Sequence, residues 1–177
     1  MKRGIIMKDN RLKGIIALAV VTVLAFGVVY GTSLLGKDGK ADGQDEIVEG
    51  AIDVTGYDGI SAAREITDDA GTITGYAVTT AARGFAGNIT LEVTFETDAT
   101  TISSLSVISH SETEGYGAVI ATDEYLSQFP GKTAPVALGD AGNDSEIDAV
   151  SGATMTSNAV VKAINQAYDF ISAYAAQ

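Results

Sequence analysis

The stretch DAVSGATMTS, residues 148–157, lies between a short apolar approach and the last helical pattern of the chain. Ile147 and Val150 favour a strand before it, and the apolar residues after it recur at the three- and four-residue spacing of one helix face. These residues are Val160, Val161, Ile164, Ala167, Tyr168, Ile171 and Tyr174. The stretch is therefore predicted to be a strand–turn–helix junction.

Four hydroxyl side chains crowd the predicted helix start: Ser151, Thr154, Thr156 and Ser157. A helix start offers unpaired backbone N–H groups and the positive end of the helix dipole, so it accepts a phosphate or a side-chain oxygen equally well. Ser and Thr are also ordinary N-cap residues. The hydroxyl count alone leaves both interpretations open, a phosphate site and a helix cap.

The residue order from Asp148 to Thr154, followed by Thr156 and Ser157, resembles the flavinylation motif of the FMN-binding domain family. Its members include the G subunit of Rnf electron-transport complexes and the C subunit of sodium-pumping NADH:quinone oxidoreductase. In that family the final Thr of the motif carries FMN through a phosphoester bond. The resemblance implies that Thr154 carries FMN covalently, and that a flavin transferase reads Asp148, Gly152 and Ala153 as part of its target.

A second segment, HSETEGYG at residues 110–117, resembles the His-x-Glu-Thr-Pro-Gly-x-Gly segment of the same family, with Glu114 where proline is usual. The turn GFAG at residues 84–87 is similar to the family's aromatic–glycine turn. The resemblance covers roughly residues 75–177. Without it, residues 110–117 would be interpreted as a polar turn, and the single histidine, His110, as a hydrogen-bonded structural residue.

The two motifs together define a predicted FMN site. Ser151, Gly152 and the helix start would supply phosphate donors. Tyr116 is a candidate face for the isoalloxazine ring, and Glu112 and Thr113 are candidates to hydrogen-bond the ring edge or the ribityl hydroxyls. The predicted cofactor-binding set is completed by Ala153, by Thr154 and by Thr156, which is the alternative acceptor.

Composition limits the chemistry that the side chains can supply. The 177 residues contain no cysteine and one histidine. Without cysteine, the chain cannot form disulfides, thiolate metal sites or iron–sulfur clusters, and it has no thiol nucleophile. With one histidine, it has almost no residues from which to build a histidine metal centre or a Ser-His-Asp triad. No independent catalytic site is identified, so redox chemistry would come from the bound flavin.

Residues 15–35 form a run of 21 residues without a charge, long enough to cross a bilayer as a helix. A cleaved signal peptide is the alternative, but no Ala-x-Ala-like site follows. Five basic residues and one acid precede the run, whereas two basic residues and five acids follow it at residues 37–49. The positive-inside rule then places residues 1–14 in the cytoplasm and the remainder outside the cell membrane, on a single-pass anchor.

The net charge of −12 is distributed unevenly on the two sides of this segment. Because the first 14 residues contribute +4, the rest of the chain carries −16. Because like charges repel, this negative charge argues against nucleic acid or an anionic membrane surface as a partner. Residues 36–50, rich in glycine and charge, are predicted to be an extended linker, followed by an extracytoplasmic FMN-binding domain at residues 51–177.

The fold class predicted for that domain is α+β, a twisted, mainly antiparallel sheet with packed helices, preceded by the transmembrane helix. Strict alternation predicts a half-buried strand over residues 91–95, with other strands near residues 73–80, 102–107 and 136–138. Residues 61–65 are interpreted as a short turn or helical piece. A helix is predicted over residues 118–129, ended by Pro130 and Gly131.

Three functions fit these patterns. The first is a membrane-anchored flavoprotein that transfers electrons within an Rnf-type ion-translocating complex, with other membrane subunits as partners. The second is a stand-alone extracytoplasmic flavoprotein carrier or reductase. The third is an anchored surface domain without a cofactor, in which the hydroxyl cluster is only a helix cap.

Overall fold

The structure, a computed structural model, describes residues 50–139 and 142–177. The predicted cytoplasmic terminus, the transmembrane helix at residues 15–35 and the linker up to residue 49 lie outside the described residues. Within the described ranges, no helix combines the length and the hydropathy that a membrane crossing requires. The described residues, 50–139 and 142–177, belong to one compact unit.

The main sheet has four strands in the order β1-β2-β3-β4, and each is antiparallel to its neighbour. The strands are β1 (Ile60–Thr67), β2 (Ile73–Arg83), β3 (Asn88–Phe95) and β4 (Ile102–Ser109). This meander confirms the prediction of a mainly antiparallel sheet. The alternation predicted for residues 91–95 is also confirmed, since Leu91, Val93 and Phe95 are fully buried.

The interpretation of residues 61–65 as a turn or helical piece is wrong, because they form the centre of β1. Ala62 and Ala63 have little intrinsic preference for strands. Their conformation is set instead by pairing with β2, where Ala63 lies opposite Val78. On the other edge of β1, the Ile52 N–H donates to the Ala63 carbonyl at 2.9 Å.

The helix predicted over residues 118–129 is two shorter pieces, a 3₁₀ helix (Gly117–Ala121) and α1 (Asp123–Leu126). Thr122 separates them, with an extended backbone at φ −84° and ψ 148°. Its hydroxyl donates to the Val119 carbonyl at 2.8 Å and accepts the Tyr125 N–H at 3.4 Å. Thr122 thus ends one piece and caps the next, which the apolar spacing alone does not show.

A long helix, α2 (Thr154–Ala175), packs on the core face of the sheet and confirms the last helical pattern of the sequence. Ala163, Ile164 and Ile171 on this helix are fully buried. Two short parallel strands, β5 (Ala137–Leu138) and β6 (Glu146–Ile147), precede the helix and confirm the strands predicted there. Asn165 of α2 holds β5 in place, since its side chain hydrogen-bonds both the N–H and the carbonyl of Val136.

Asp98 closes the turn between β3 and β4. Its Oδ1 accepts the N–H groups of Thr100 and Thr101, each at 2.8 Å, and its Oδ2 accepts the Thr101 hydroxyl at 2.6 Å. Partial burial raises the pKa of Asp98, but these hydrogen bonds outweigh it and lower the pKa to about 2. The carboxylate is therefore ionised throughout the physiological range.

Acid titration is expected to destabilise the fold through Asp98. Because its pKa is lower in the folded chain than the ordinary 3.8, the stabilisation is present above pH 3.8 and is lost as the pH falls toward 2. Because the side chain is exposed, solvent screening limits this stabilisation to about 1 kcal/mol. Urea unfolding between pH 5 and 2 should show a shallower loss for Asp98→Asn. Asp69→Asn removes an exposed carboxylate from the turn between β1 and β2 and should follow the wild-type curve.

Candidate functional site

A groove of about 530 Å³ lies where three segments meet. These segments are the turn between β2 and β3, the loop after β4, and the first residues of α2. The groove is lined by Phe85, Glu112, Thr113, Tyr116, Gly117, Gly152, Ala153, Thr154, Met155 and Thr156. The two sequence motifs, about 40 residues apart in the chain, therefore contribute to one cavity.

The start of α2 presents the Thr154 hydroxyl without using it as a cap. Ala153 occupies the N-cap position, and no side chain caps the helix there. Ser157, one turn into the helix, donates its hydroxyl to the Ala153 carbonyl at 3.1 Å and accepts the Val150 N–H at 2.9 Å, so it ties the preceding turn to the helix. Thr154 is exposed, and its hydroxyl makes no hydrogen bond within the described part of the chain. The helix-cap interpretation therefore does not fit Thr154.

The Gly152 backbone sets the approach to the helix, with φ at +75°, a conformation that favours glycine. A Cβ on Gly152 would meet only the Tyr116 ring, at 3.9 Å. The glycine therefore leaves the space between Tyr116 and the helix start open. A small residue at this position lets a phosphate approach the main chain of the helix N-terminus.

Three large apolar side chains line the groove while remaining mostly exposed: Phe85 at 66%, Tyr116 at 60% and Met155 at 61%. Most large apolar side chains of this domain are buried in its core. An exposed apolar cluster around a cavity is typical of a ligand site, since the ligand would cover the surface.

Glu112 forms the floor between the three segments and is 7% exposed. Its Oε1 accepts the N–H groups of Ala86 at 2.9 Å and Gly87 at 3.4 Å. Its Oε2 accepts the Phe85 N–H at 3.2 Å and the hydroxyl of Thr156. Burial raises the pKa of Glu112, but these hydrogen bonds outweigh it and hold the pKa below its usual value. The carboxylate is therefore ionised at neutral pH.

Most of the predicted site residues meet in the groove, namely Glu112, Thr113, Tyr116, Gly152, Ala153, Thr154 and Thr156. Ser151 is exposed beside the groove without lining it. Asp148 is also exposed and outside the groove, with its N–H held by the Gln128 side chain at 2.7 Å. The lone histidine, His110, begins the loop after β4, and its Nδ1 accepts the Glu112 N–H at 3.2 Å.

Sequence reasoning did not assign Phe85, Gly117 or Met155 to the site. The signal for Phe85 was present, since it is the one large residue of the 84–87 turn. Met155 carried a weaker signal, as an apolar side chain among hydroxyls and outside the apolar face of α2. Gly117 belongs to the second motif, and its contribution is the space that it leaves beside Glu112.

Gly117→Ala is expected to destabilise the domain. The added Cβ would lie 2.7 Å from the Thr156 hydroxyl and 2.8 Å from Glu112 Oε2, both buried and already hydrogen-bonded to each other. Overpacking of this kind costs about 1–3 kcal/mol, measured as the free energy of unfolding in urea. Gly142→Ala is the matched control, because its Cβ would meet only Glu146, at 3.7 Å. Equal stability of the two variants would contradict this account of the groove floor.

Residues 84–169, just under half of the chain, match the model of the FMN-binding domain family. The resemblance indicated by the two motifs is thereby confirmed. The match extends from the turn that carries Phe85 to Asp169 in α2, so it includes every segment that lines the groove.

Two curated proteins are similar to this chain over part of their length. The G subunit of the ion-translocating oxidoreductase complex of Methanosarcina acetivorans is 41% identical over 107 residues, which are 60% of this chain and 56% of the relative. The G subunit of the proton-translocating ferredoxin:NAD(+) oxidoreductase complex of Clostridium ljungdahlii is 35% identical over 101 residues, 56% of this chain and 54% of the relative. The chain thus spans just over half the length of these relatives.

Solved structures show a similar fold. The crystal structure of Shewanella oneidensis NqrC aligns with a TM-score of 0.55 at 23% identity, over 77% of this chain and 78% of that one. The C subunit of the Na(+)-translocating NADH-quinone reductase of Parabacteroides distasonis aligns with a TM-score of 0.51 at 22% identity, over 64% and 60%.

Proposed function

We propose that this chain is a membrane-anchored flavoprotein that carries FMN covalently on Thr154 and transfers electrons within an Rnf-type ion-translocating complex. The family match supports FMN as the cofactor. The two relatives, both named as G subunits of ion- or proton-translocating oxidoreductase complexes, support the complex. The other membrane subunits of that complex would be its electron donor and acceptor.

The observation that carries the attachment site is the free hydroxyl of Thr154. It is exposed, lies at the start of a 22-residue helix, lines the groove, and serves no capping role. Thr156 is a poorer acceptor, because its side chain is 1% exposed and its hydroxyl is engaged by Glu112. The ester would form between Thr154 Oγ1 and the flavin phosphorus, with loss of the hydroxyl proton and of the leaving group on the donor phosphate.

The charges of the groove favour a covalent bond over dissociable binding. No lysine, arginine or histidine lines it among the described residues, and its one acid is Glu112. Free FMN carries a phosphate dianion, which dissociable sites commonly pair with Arg or Lys. An ester on Thr154 reduces the phosphate to a monoanion beside the positive end of the helix dipole. A covalent bond also retains the cofactor outside the cytoplasm.

The remaining residues of the groove would position the flavin. Phe85, Tyr116 and Met155 supply apolar surface for the ring system, and their present exposure would be covered by it. Thr113 offers a hydroxyl and Gly152 an open approach to the phosphate. The bound FMN supplies the electron-transfer chemistry, and the protein supplies position and electrostatic tuning.

The experiment that tests the proposal is expression of the full-length chain beside an active flavin transferase. The protein is expected to stay yellow after denaturation, and its intact mass should rise by FMN less one water. Expression without the transferase is the control and should give the unmodified mass. If the chain made beside the transferase shows neither colour nor added mass, the proposal fails and the cofactor-free alternative remains.

Membership in a complex is tested separately. Purification of the membrane-embedded chain from its native host should recover other redox subunits in stoichiometric amounts. Recovery of the flavoprotein alone, still able to reduce or oxidise small acceptors, would instead favour the stand-alone carrier.

The proposed topology places residues 1–14 in the cytoplasm and the domain outside the cell membrane. A reporter that is active only outside the cytoplasm, fused after Gln177, is therefore expected to be active. The matched control is a reporter that is active only in the cytoplasm, which should be silent at the same position. A mature N-terminus near residue 36 would contradict the anchor and indicate a cleaved signal.

A further inference from the structure

The Glu112 carboxylate joins three segments that are far apart in sequence. Its two oxygens accept the three consecutive N–H groups of residues 85–87 and the hydroxyl of Thr156 on α2. Its own N–H is held by His110 on the same loop. Every wall of the groove is therefore tied to one side chain that is almost completely buried.

The glycines around Glu112 leave room for this arrangement. A Cβ on Gly84 would lie 2.6 Å from Oε1, and one on Gly117 would lie 2.8 Å from Oε2. Real Cβ atoms do not approach so closely, so both positions accept only glycine while the carboxylate is in place. The main chain therefore packs directly against the carboxylate on two sides.

We propose that Glu112 is a positioning residue, which holds the Phe85 turn against the start of α2 and so fixes the groove in its flavin-ready form before FMN arrives. This inference rests on the proposed function, and it changes the role first predicted for Glu112. Both of its oxygens are used by the protein itself, so the carboxylate acts through the Phe85 turn and Thr156 and not by contact with the ring edge.

A carboxylate suits this position better than any neutral side chain. Four donors converge on it, and an ionised carboxylate presents only acceptors. Glutamine of the same shape would turn its NH₂ group toward a main-chain N–H in either orientation of the amide. In one orientation it would face Ala86 and Gly87, and in the other Phe85. Leaving a buried donor unpaired costs more than the loss of one hydrogen bond.

The first test needs no flavin. Amide hydrogen exchange of the full-length, unflavinylated chain is expected to quicken about tenfold or more at residues 85–87 in Glu112→Gln, since a hydrogen bond to a charged group is lost. Faster exchange is also expected at the first turn of α2. Glu114→Gln, on the same loop but exposed, is the matched control and should exchange as the wild type does.

The second test measures the initial rate of flavin incorporation by a flavin transferase. Glu112→Gln is expected to reduce the rate about tenfold or more, because small misplacements of a reacting group have effects of this size. Thr156→Val removes the hydroxyl that binds Glu112 and should act in the same direction. Thr156→Ser keeps the hydroxyl and should restore a rate near that of the wild type, which a purely steric role of Thr156 does not predict.

The outcomes separate this inference from the proposed function. If the wild type incorporates flavin and Glu112→Gln does so at the same rate, the positioning role is wrong. If the wild type incorporates none, the proposed function fails, and the exchange experiment alone decides whether Glu112 orders the groove. Unchanged exchange at residues 85–87 would then overturn the inference. If Glu112→Gln does not fold, the comparison of Thr156→Val with Thr156→Ser decides, and equal incorporation rates would overturn it.

Discussion

The Thr154→Val protein, made beside an active flavin transferase, is expected to carry no flavin that survives denaturation. Valine keeps the branched shape of threonine and removes only the oxygen that would form the ester. The loss of covalent flavin should therefore be complete, whereas the fold should be almost unaffected. Removing an N-cap hydroxyl costs about 0.5–2 kcal/mol. Because Thr154 is exposed and caps nothing, we expect a smaller change in the free energy of unfolding.

Two further variants separate the proposed role of Thr154 as flavin acceptor from the proposed role of Asp148 in recognition by the transferase. Thr154→Ser keeps a hydroxyl in the same place and should still accept flavin. Asp148→Ala leaves the acceptor intact and should lower the rate of modification, because the exposed Asp148 is proposed to be read by the transferase. Covalent flavin on both variants is measured by intact mass and by in-gel flavin fluorescence. Denaturation-resistant flavin on Thr154→Val would place the ester on another residue, with Thr156 the next to test.

The position proposed for the acceptor follows from sequence because its signals are local. The apolar spacing after residue 153 predicted a long helix, and α2 begins at Thr154. Hydroxyls at a helix start have two possible uses, and the hydrogen bonds separate them. The Ser157 hydroxyl bonds the main chain of Val150 and Ala153, whereas the Thr154 hydroxyl caps nothing and bonds nothing in the described part of the chain. The motif points to Thr154 as the proposed acceptor, and its unengaged hydroxyl supports that proposal.

The role of Glu112 could not be derived in the same way. Its partners are the 84–87 turn and Thr156, 25 to 27 and 44 residues away in the chain. No local pattern predicts which donors will converge on a carboxylate, so a ligand contact was the natural expectation for a polar residue in the motif. The glycines on both sides of it were visible in sequence, but their purpose depends on the packing of three segments.

The errors in the fold have the same origin. β1 is a strand because β2 pairs with it, although its alanines have little preference for one. The segment after Tyr116 has helical spacing, yet the Thr122 side chain ends one short helix and begins another. Tertiary pairing and a single side-chain cap outweighed the local pattern, whereas the strongly periodic β3 and α2 were predicted correctly.

Deletion of residues 15–35 is expected to release the chain from the membrane and to abolish electron flow through the membrane complex. The described domain has its own core of buried residues on β2, β3 and α2, so its fold should not depend on the deleted segment. The soluble protein should therefore remain folded and should still accept FMN on Thr154 from a transferase. Covalent flavin without electron flow is the expected combination, because a soluble carrier loses the high local concentration that a membrane tether provides.

The control is to replace residues 15–35 with an unrelated single-span helix of the same length, keeping the basic flank before it. If the segment is only an anchor, this chimera should return to the membrane and recover electron flow, measured as donor oxidation in membrane vesicles. Full electron flow from the soluble form would favour a stand-alone carrier over a complex subunit. A membrane-bound but inactive chimera would show that residues 15–35 contact other subunits in addition to holding the domain near them.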